Sequence, residues 1–324
     1  MEQNTEIQQK TTFKQKLSRL HHKIFDVKND TMPKSLSKGK NFFVFCMVII
    51  GILHFAVFYV GVNYKAIVLG FQKEVEGTTV FTFDWFIAFF KEFSYEDSVL
   101  MTCFKNTLKY FVLNSFFLFI TGYLISYFLY KKILGYKIFR VVFYMFGIIS
   151  GIVVVALFKS IIAVEGPIYT IVKEITGTEL PFLLKDDSTA TNTIMIYCVW
   201  TGLASNFILL TGAMNRIPEE LIEAAKLEGC GWFREMTGIV TPLIWDTVGT
   251  LFILSFIGIF QASGPILLFQ TPESTYTFSY WIYLQVTAGS NNYPAAIGLF
   301  VTVITLPIVF LVRHLLSKIE TVEF

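Results

Sequence analysis

The chain carries little charge for its length. Asp, Glu, Lys and Arg make up only 15% of its 324 residues, and the formal net charge is +2. Hydrophobic residues make up 54%, and Phe alone occurs 35 times. A composition this apolar excludes an intrinsically disordered chain and cannot supply the polar surface of a soluble domain. It indicates an integral membrane protein.

Motifs for chemistry are also scarce. The chain has no G-x-x-x-x-G-K-[ST] run, the phosphate-binding loop of many nucleotide-binding proteins, and no C-x-x-C spacing typical of a metal site. Its four cysteines are expected in spans and on opposite sides of a membrane, which excludes a disulfide framework. The centres of the apolar stretches lack Asp, Glu, Lys and Arg, which disfavours ion-coupled transport and intramembrane catalysis. We therefore expect no enzyme activity, no metal and no cofactor on this chain.

Long apolar stretches with almost no charge take the place of such motifs. A bilayer core about 30 Å thick needs roughly 20 helical residues to cross it. Six stretches meet this length and predict transmembrane helices at about 42–62, 110–130, 141–163, 194–214, 247–269 and 294–312. Because the stretches are continuous rather than alternating, they exclude a β-barrel, and the expected fold class is an all-α polytopic bundle.

The distribution of Lys and Arg predicts the orientation of this bundle. With the N-terminus inside, the predicted cytoplasmic segments carry 18 of these residues and the opposite segments carry 8. Positive charges near span ends are retained in the cytoplasm, so both termini are predicted to be cytoplasmic. The chain then divides into a basic N-terminal segment, residues 1–40, and a transmembrane domain, residues 41–320. The 40 residues before the first span argue against a cleaved signal peptide.

The N-terminal segment has a periodic pattern of its own. Phe13, Leu17, Leu20 and Ile24 recur at helical spacing with Lys and Arg between them. This pattern fits a basic amphipathic helix on the inner lipid surface, and it fits a solvated tail equally well.

The loop between the fourth and fifth spans, residues 215–242, holds the most informative pattern. Pro218 suits the start of a helix, and Gly229 suits its C-terminal stop. A second periodic stretch begins at Trp232 and is expected to end at Thr241-Pro242. The loop therefore predicts two short helices that meet at glycines.

This loop resembles the EAA motif of permease subunits in ATP-binding cassette (ABC) importers. The residues that carry the resemblance are Glu223-Ala224-Ala225, Gly229 and Ile239-Val240-Thr241-Pro242, at the spacing of the motif. Asn106-Thr107-Leu108 and Trp200-Thr201-Gly202 are similar to segments of the maltose-type and glycerophosphate-type carbohydrate permeases. The resemblance covers roughly residues 40–320.

The resemblance implies a multi-pass subunit of the bacterial plasma membrane. Its implied partners are a second permease subunit in a heterodimer, an ATPase dimer that binds ATP and Mg, an extracytoplasmic solute-binding protein and a carbohydrate, with no nucleic acid. Glu223 would make an ionic contact to the ATPase, and Ala224 and Ala225 would form a small-residue packing face. Gly229 would stop the helix inside the ATPase cleft, and Pro242 would fix the start of span five.

Polar residues in spans four and five are the candidate cargo path. A neutral sugar needs hydrogen-bonding groups in a cavity without net charge. The candidates are Thr201, Ser205, Asn206, Ser255, Gly258 and Gln261. Polar side chains in such spans also serve as contacts between helices, and that alternative stays open.

The expected function is import of a carbohydrate, most simply an oligosaccharide. A first alternative is import of a non-sugar cargo such as a phosphorylated polyol, which a basic group in the cavity would favour. A second alternative is a membrane channel or sensor that works without ATP, which would not copurify with an ATPase.

Overall fold

The structure is a computed structural model that describes residues 34–177, 181–203, 205–258 and 263–319. The chain divides into two compact units, Met1–Ala66 and Ile67–Phe324. The described part of the first unit is helical: α1 (Lys34–His54) continues through a π-helical stretch (Phe55–Gly61) into the start of α2 (Val62–Gly70). The predicted amphipathic helix between Phe13 and Ile24 lies outside the described residues.

The second unit is mostly helical, with one small hairpin. Its elements are β1 (Gln72–Val75), β2 (Thr78–Phe81), α3 (Asp84–Phe93), α4 (Val99–Val112), α5 (Phe119–Tyr130), α6 (Tyr136–Ile148), α7 (Gly151–Ile161), α8 (Pro167–Thr176), α9 (Ala190–Gly202), α10 (Phe207–Met214), α11 (Glu219–Leu227), α12 (Trp232–Glu235), α13 (Thr241–Leu243), α14 (Trp245–Ile257), α15 (Ser263–Phe269), α16 (Phe278–Thr287) and α17 (Asn292–Leu316). A π-helical stretch, Leu113–Leu118, joins α4 to α5, and a second one, Met236–Val240, joins α12 to α13.

Four helical stretches in the described residues are long and apolar enough to cross a membrane without a sharp bend. They are Phe42–Gly70, Val99–Tyr130, Ala190–Met214 and Asn292–Leu316. Two further pairs pass the same test only as bent spans: α6 with α7, at 110°, and the α12–α13 helix with α14, at 86°. The expected fold class, an all-helical polytopic membrane protein, is confirmed, with between four and six spans in the described residues.

Two of the expected spans are interrupted within the described residues. The span predicted at 141–163 breaks between α6 and α7, where Ile149 has an extended backbone with Gly147 and Gly151 close by. The span predicted at 194–214 is divided into α9 and α10, with Ser205 and Asn206 in the turn before α10. In the region predicted at 247–269, α14 ends at Ile257 and α15 begins at Ser263, and residues 259–262 lie outside the described part. Hydropathy counts apolar side chains and does not register glycine, which lowers helix stability by about 1 kcal/mol relative to alanine.

The hairpin is an element that the all-helical prediction missed. β1 and β2 pair antiparallel from Gln72↔Phe81 to Val75↔Thr78. Glu76 and Gly77 form the turn with φ of 52° and 77°, the positive values that a type I′ turn requires at both positions. Lys73 Nζ lies 2.9 Å from the Asp84 carboxylate. Hydrogen bonds from Lys73 and then Thr82 hold the pKa of the Asp84 carboxyl below its usual value.

Contacts between the loops of the second unit fall into two groups, one at each end of its helices. At one end, Asn106 Nδ2 donates to the carbonyl oxygens of Ser274 and Tyr276, at 2.7 and 3.1 Å, and Thr191 Oγ1 donates to the Ser274 oxygen at 3.2 Å. At the other end, Lys131 pairs with Glu235. These contacts place Asn106, Thr191 and Ser274 at one end and Lys131 and Glu235 at the other. Which end faces the cytoplasm stays a prediction.

Candidate functional site

A cavity of about 620 Å³ lies among the helices of the second unit. Its walls come from α4, α5, α7, α9, α14 and α15, so that distant parts of the chain meet around it. The structure brings Thr201, Ser205, Asn206, Ser255 and Gly258 together on its lining, as the sequence analysis expected of a common path. Gln261, the remaining candidate, lies outside the described residues. That these residues contact cargo stays a prediction.

The cavity is built where helices are interrupted. Gly151 begins α7, Gly202 ends α9, and Gly258 follows the end of α14, and all three line the cavity. Ser205 and Asn206 lie in the turn between α9 and α10 rather than within a helix. Irregular backbone within membrane-spanning regions is tolerated where it is buried in protein or lines a cavity. The breaks therefore expose polar backbone and short polar side chains to the cavity rather than to lipid.

Close packing at Gly202 brings α9 against the second span. A Cβ built on Gly202 would lie 2.7 Å from Leu118 Cδ1, too near for an ordinary contact. Leu118 and Gly202 both line the cavity. Glycine at this position therefore sets the distance between two walls.

The side chains of the lining that can form hydrogen bonds are uncharged. Thr201 Oγ1 donates to the Tyr197 carbonyl at 3.0 Å, and Ser255 Oγ donates to the Phe252 carbonyl at 2.7 Å. These hydroxyl oxygens keep lone pairs with which they can accept a further bond. The described lining contains no Asp, Glu, Lys, Arg or His. It suits a neutral, hydroxyl-rich molecule.

Two polar residues of the lining were missed by the sequence analysis. Tyr110 is only 2% exposed, and its hydroxyl has no hydrogen-bond partner among the described residues. Asn114 lines the cavity one helical turn further along, within the π-helical stretch. The sequence signal was present, since both are polar positions in the predicted span 110–130. Only the tertiary structure shows that this face meets spans four and five.

The 215–242 loop forms the second candidate site. It contains the two predicted helices, α11 and the helix that begins with α12, and the glycines lie between them. Gly229 has a φ of 73°, its N–H donates to the Lys226 carbonyl at 3.0 Å, and the Cys230 N–H donates to the Ala225 carbonyl at 2.9 Å. This pair of bonds is a Schellman motif, which ends a helix with a left-handed glycine. The prediction that Gly229 stops this helix is confirmed.

The two alanines of the motif do not form one packing face. Ala225 is buried beside Ile222, whereas Ala224 and Glu223 are exposed. Successive residues of a helix point about 100° apart, so neighbours in sequence rarely share a face. All of α11 except Ile222 and Ala225 is exposed, and Glu220, Glu223, Ala224 and Leu227 share one side of this exposed surface by their spacing. Leu227 was not among the predicted site residues, yet it is 90% exposed and is the most prominent apolar group of this surface.

The end of the second loop helix differs from the prediction by two residues. Ile239 is half-buried against the apolar cluster that includes Ile222, Met236 and Val240. The helix continues through Pro242 as far as Leu243, and the 86° bend into α14 falls at Ile244. Pro242 follows a π-helical stretch, whose shifted bonding pattern accommodates a residue that lacks an N–H.

Broken spans around a polar cavity, together with a protruding helical loop, define a membrane transport protein. Residues 110–321 match the family described as binding-protein-dependent transport system inner membrane component. The match covers more than half of the chain, which therefore belongs to this family and is a multi-pass membrane protein.

Curated relatives come from Bacillus subtilis (strain 168). The chain is 28% identical over 161 residues to protein LplB, covering 48% of this chain and 50% of LplB. It is 28% identical over 192 residues to the maltodextrin transport system permease protein MdxF, covering 54% of this chain and 44% of MdxF. It is 25% identical over 290 residues to the polygalacturonan/rhamnogalacturonan transport system permease protein YteP, covering 85% of this chain and 88% of YteP. The chain thus spans about half the length of LplB and of MdxF.

A solved structure shares the fold. It is a chain of a bacterial ABC transporter that imports the acidic polysaccharide alginate. The TM-score is 0.74 at 19% identity, over 87% of this chain and 97% of that one. At this identity the likeness shows the fold alone.

Proposed function

We propose that this chain is the permease subunit of a bacterial ABC importer that moves a neutral carbohydrate, most simply an oligosaccharide, across the plasma membrane. The observation that carries the proposal is the cavity of about 620 Å³, whose described lining offers hydroxyls, amides and aromatic rings without a charged side chain. Relatives named for maltodextrin and polygalacturonan transport support a carbohydrate cargo.

The lining favours a neutral cargo over an anionic one. A phosphate or carboxylate group in a dehydrated cavity requires a cation or several directed donors, because an unpaired charge away from water is costly. The alginate transporter and the polygalacturonan permease handle acidic polymers, and a further relative is named for sn-glycerol-3-phosphate. The described lining contains no Lys or Arg. We therefore propose an uncharged cargo, in contrast to the anionic molecules for which those three proteins are named.

The chain performs no catalysis in this proposal. ATP and Mg bind to a separate ATPase dimer, and the exposed side of α11, with Glu223, Ala224 and Leu227, docks into that ATPase. A helix face that carries carboxylates, Glu220 and Glu223, beside the apolar side chain of Leu227 fits a cleft with an apolar floor and a basic rim. A second permease subunit completes the pathway, and an extracytoplasmic solute-binding protein delivers the cargo. The name of the family supports this last partner.

Uptake in reconstituted vesicles tests the cargo. The permease is assembled with the proposed second permease subunit, ATPase and solute-binding protein. ATP-dependent uptake of neutral oligosaccharides, such as maltodextrins, is compared with uptake of oligogalacturonates and of glycerol 3-phosphate. We expect uptake of a neutral series only. Preferential uptake of either anion would show that the proposed cargo class is wrong, and ATP-independent flux would show that the chain is a channel.

A further inference from the structure

The polar contact between the 215–242 loop and the second span is the feature that the transport cavity leaves unexplained. Glu235, on α12, is 2% exposed, and it is the one Asp, Glu, Lys or Arg that is fully buried within the described part of the chain. Its carboxylate lies 2.7 and 2.9 Å from Lys131 Nζ, at the C-terminal end of α5. The Tyr127 hydroxyl lies 3.1 Å from Glu235 Oε1 and 3.0 Å from the Trp232 carbonyl oxygen.

These bonds belong to a longer seam along one face of α5. Tyr123, Tyr127 and Lys131 follow each other at intervals of four residues and so share that face. The Tyr123 hydroxyl lies 2.7 Å from Thr241 Oγ1, and the Thr241 hydroxyl also bonds the Met236 carbonyl at 2.7 Å. We call this set of contacts, from Tyr123–Thr241 to Lys131–Glu235, the polar seam. It attaches the loop helix to α5 from Trp232 to Thr241.

The contact of α11 with α5 is different in kind. A pocket of about 250 Å³ lies between them, lined by Tyr130, Lys131, Ile222 and Glu223 among others. α11 is anchored through the buried side chains of Ile222 and Ala225, on the face opposite its exposed surface. Ile222 also joins the apolar cluster that contains Tyr127 of α5, so α11 reaches α5 through non-directional apolar packing. The route through the loop helix and the polar seam is the one built from directed hydrogen bonds.

Stability alone gives little reason for a buried ion pair at this place. Apolar residues of the same volume are commonly as stabilising or more so, because the pair must recover the cost of removing two charges from water. What the pair supplies together with the Tyr127 hydroxyl, which bonds both Glu235 Oε1 and the Trp232 carbonyl oxygen, is a fixed register between two helices. A seam of directed bonds keeps two helices in one relative position when force is applied.

We propose that Glu235 is a positioning residue for energy coupling. Together with Lys131 and Tyr127 it makes the loop helix and α5 move as one body, so that displacement of α11 by the ATPase changes the wall of the cavity contributed by the second span. This inference rests on the proposed function, in which α11 is the docking element.

The test compares the number of cargo molecules imported per ATP hydrolysed in the fully assembled transporter. Glu235→Gln and Lys131→Met each remove one charge of the pair, and Tyr127→Phe is a milder change that removes one hydroxyl. We expect the two charge variants to lower this ratio about tenfold, with ATP hydrolysis and complex assembly retained. The double swap Lys131→Glu/Glu235→Lys is expected to recover a large part of the ratio. Lys137→Met, which removes an exposed cation on the following helix, is the matched control and should leave the ratio unchanged.

The outcomes separate positioning from simple stability. A parallel loss of uptake, ATP hydrolysis and assembly in the single variants, including Tyr127→Phe, would mean that the pair only holds the fold together. An unchanged ratio would equally overturn the proposal. Amide hydrogen exchange of residues 228–243 in the purified permease gives a readout that needs no cargo, and it should be faster in Glu235→Gln than in the wild type. If the wild-type assembly shows no ATP-dependent uptake, the proposed function has failed, whatever the exchange data show.

Discussion

The hydroxyl of Tyr110 is buried at the cavity wall without a hydrogen-bond partner among the described residues. A buried hydroxyl without a partner costs about 1–3 kcal/mol, so a site that keeps one commonly uses it for a ligand. A sugar hydroxyl in the cavity would supply the missing bond.

The variant Tyr110→Phe is predicted to move stability and transport in opposite directions. Loss of the hydroxyl should leave the melting temperature of the free permease unchanged or raise it, while the efficiency of neutral oligosaccharide uptake falls about fivefold to tenfold. Thermal unfolding in detergent and uptake in vesicles measure the two effects. Tyr283→Phe, at a half-exposed tyrosine outside the cavity lining, is the control. A lower melting temperature with normal uptake would show that the hydroxyl bonds within the protein instead.

Site residues could be predicted from the sequence where a polar side chain stood in an apolar stretch. They were missed where their role depends on the direction of the side chain in the folded protein. Thr201, Ser205 and Ser255 were found because they are polar in apolar stretches, and the cavity includes them. Leu227 was missed because an apolar residue on a helix is expected to be buried, and only the structure shows that it is 90% exposed. Ala224 and Ala225 do not share a packing face, because residues adjacent in the sequence point about 100° apart on a helix.

At the scale of an element, the end of α11 depends on a backbone conformation that few residues tolerate. The φ of 73° at Gly229 costs an L-residue with a Cβ about 1–2 kcal/mol. Gly231, two residues on, has a φ of −70° and lies at the N-cap of α12, where serine is favourable. The two glycines of this connection are therefore not equivalent.

Serine substitution should separate these two glycines. Gly229→Ser is predicted to lose about 1–2 kcal/mol of local stability at the end of α11 and to lower ATP-driven uptake. Gly231→Ser should be neutral or slightly stabilising. A Cβ meets no atom within 4 Å at either position in this chain, so steric clash within the permease contributes to neither result. Amide exchange of residues 219–230 and uptake are measured together, and equal effects at both glycines would contradict this account of the helix stop.

The interrupted helices show why elements were harder to predict than the fold class. Apolar length identified the membrane-spanning regions, yet it gave no sign of the break in 141–163. The signals near that break are glycines at positions 147 and 151, which composition alone does not distinguish from the helical Gly249. The hairpin had a clearer signal, since Glu76-Gly77 between short segments favours a turn.

At the scale of the whole molecule, the charge count of 18 against 8 predicts which loops face the cytoplasm. Within the second unit, contacts join some of these loops at each of two ends. The contacts at each end were not predictable, because Asn106 and Ser274 are separated by 168 residues.

The orientation is predicted to place the hairpin turn outside and α11 inside. Single cysteines at Glu76 and at Leu227, both exposed, are introduced after replacing the four native cysteines. A membrane-impermeant maleimide applied to intact cells should label the first and not the second. Labelling of both after permeabilisation is the control, and the reverse pattern in intact cells would invert the topology.

The pairing of Lys131 with Glu235 also constrains the order in which the protein is made. The two residues are 104 positions apart, and a ribosome adds roughly 5–20 residues per second, so on the order of 5–20 s pass between their synthesis. The contact cannot form before Glu235 has been made, and until then the Lys131 ammonium needs water or another acidic group as its partner. Removal of the Glu235 carboxylate from water is favourable only beside a cation or several donors. The join between α5 and the loop helix therefore belongs to the later steps of assembly, after the fourth predicted span has been synthesised.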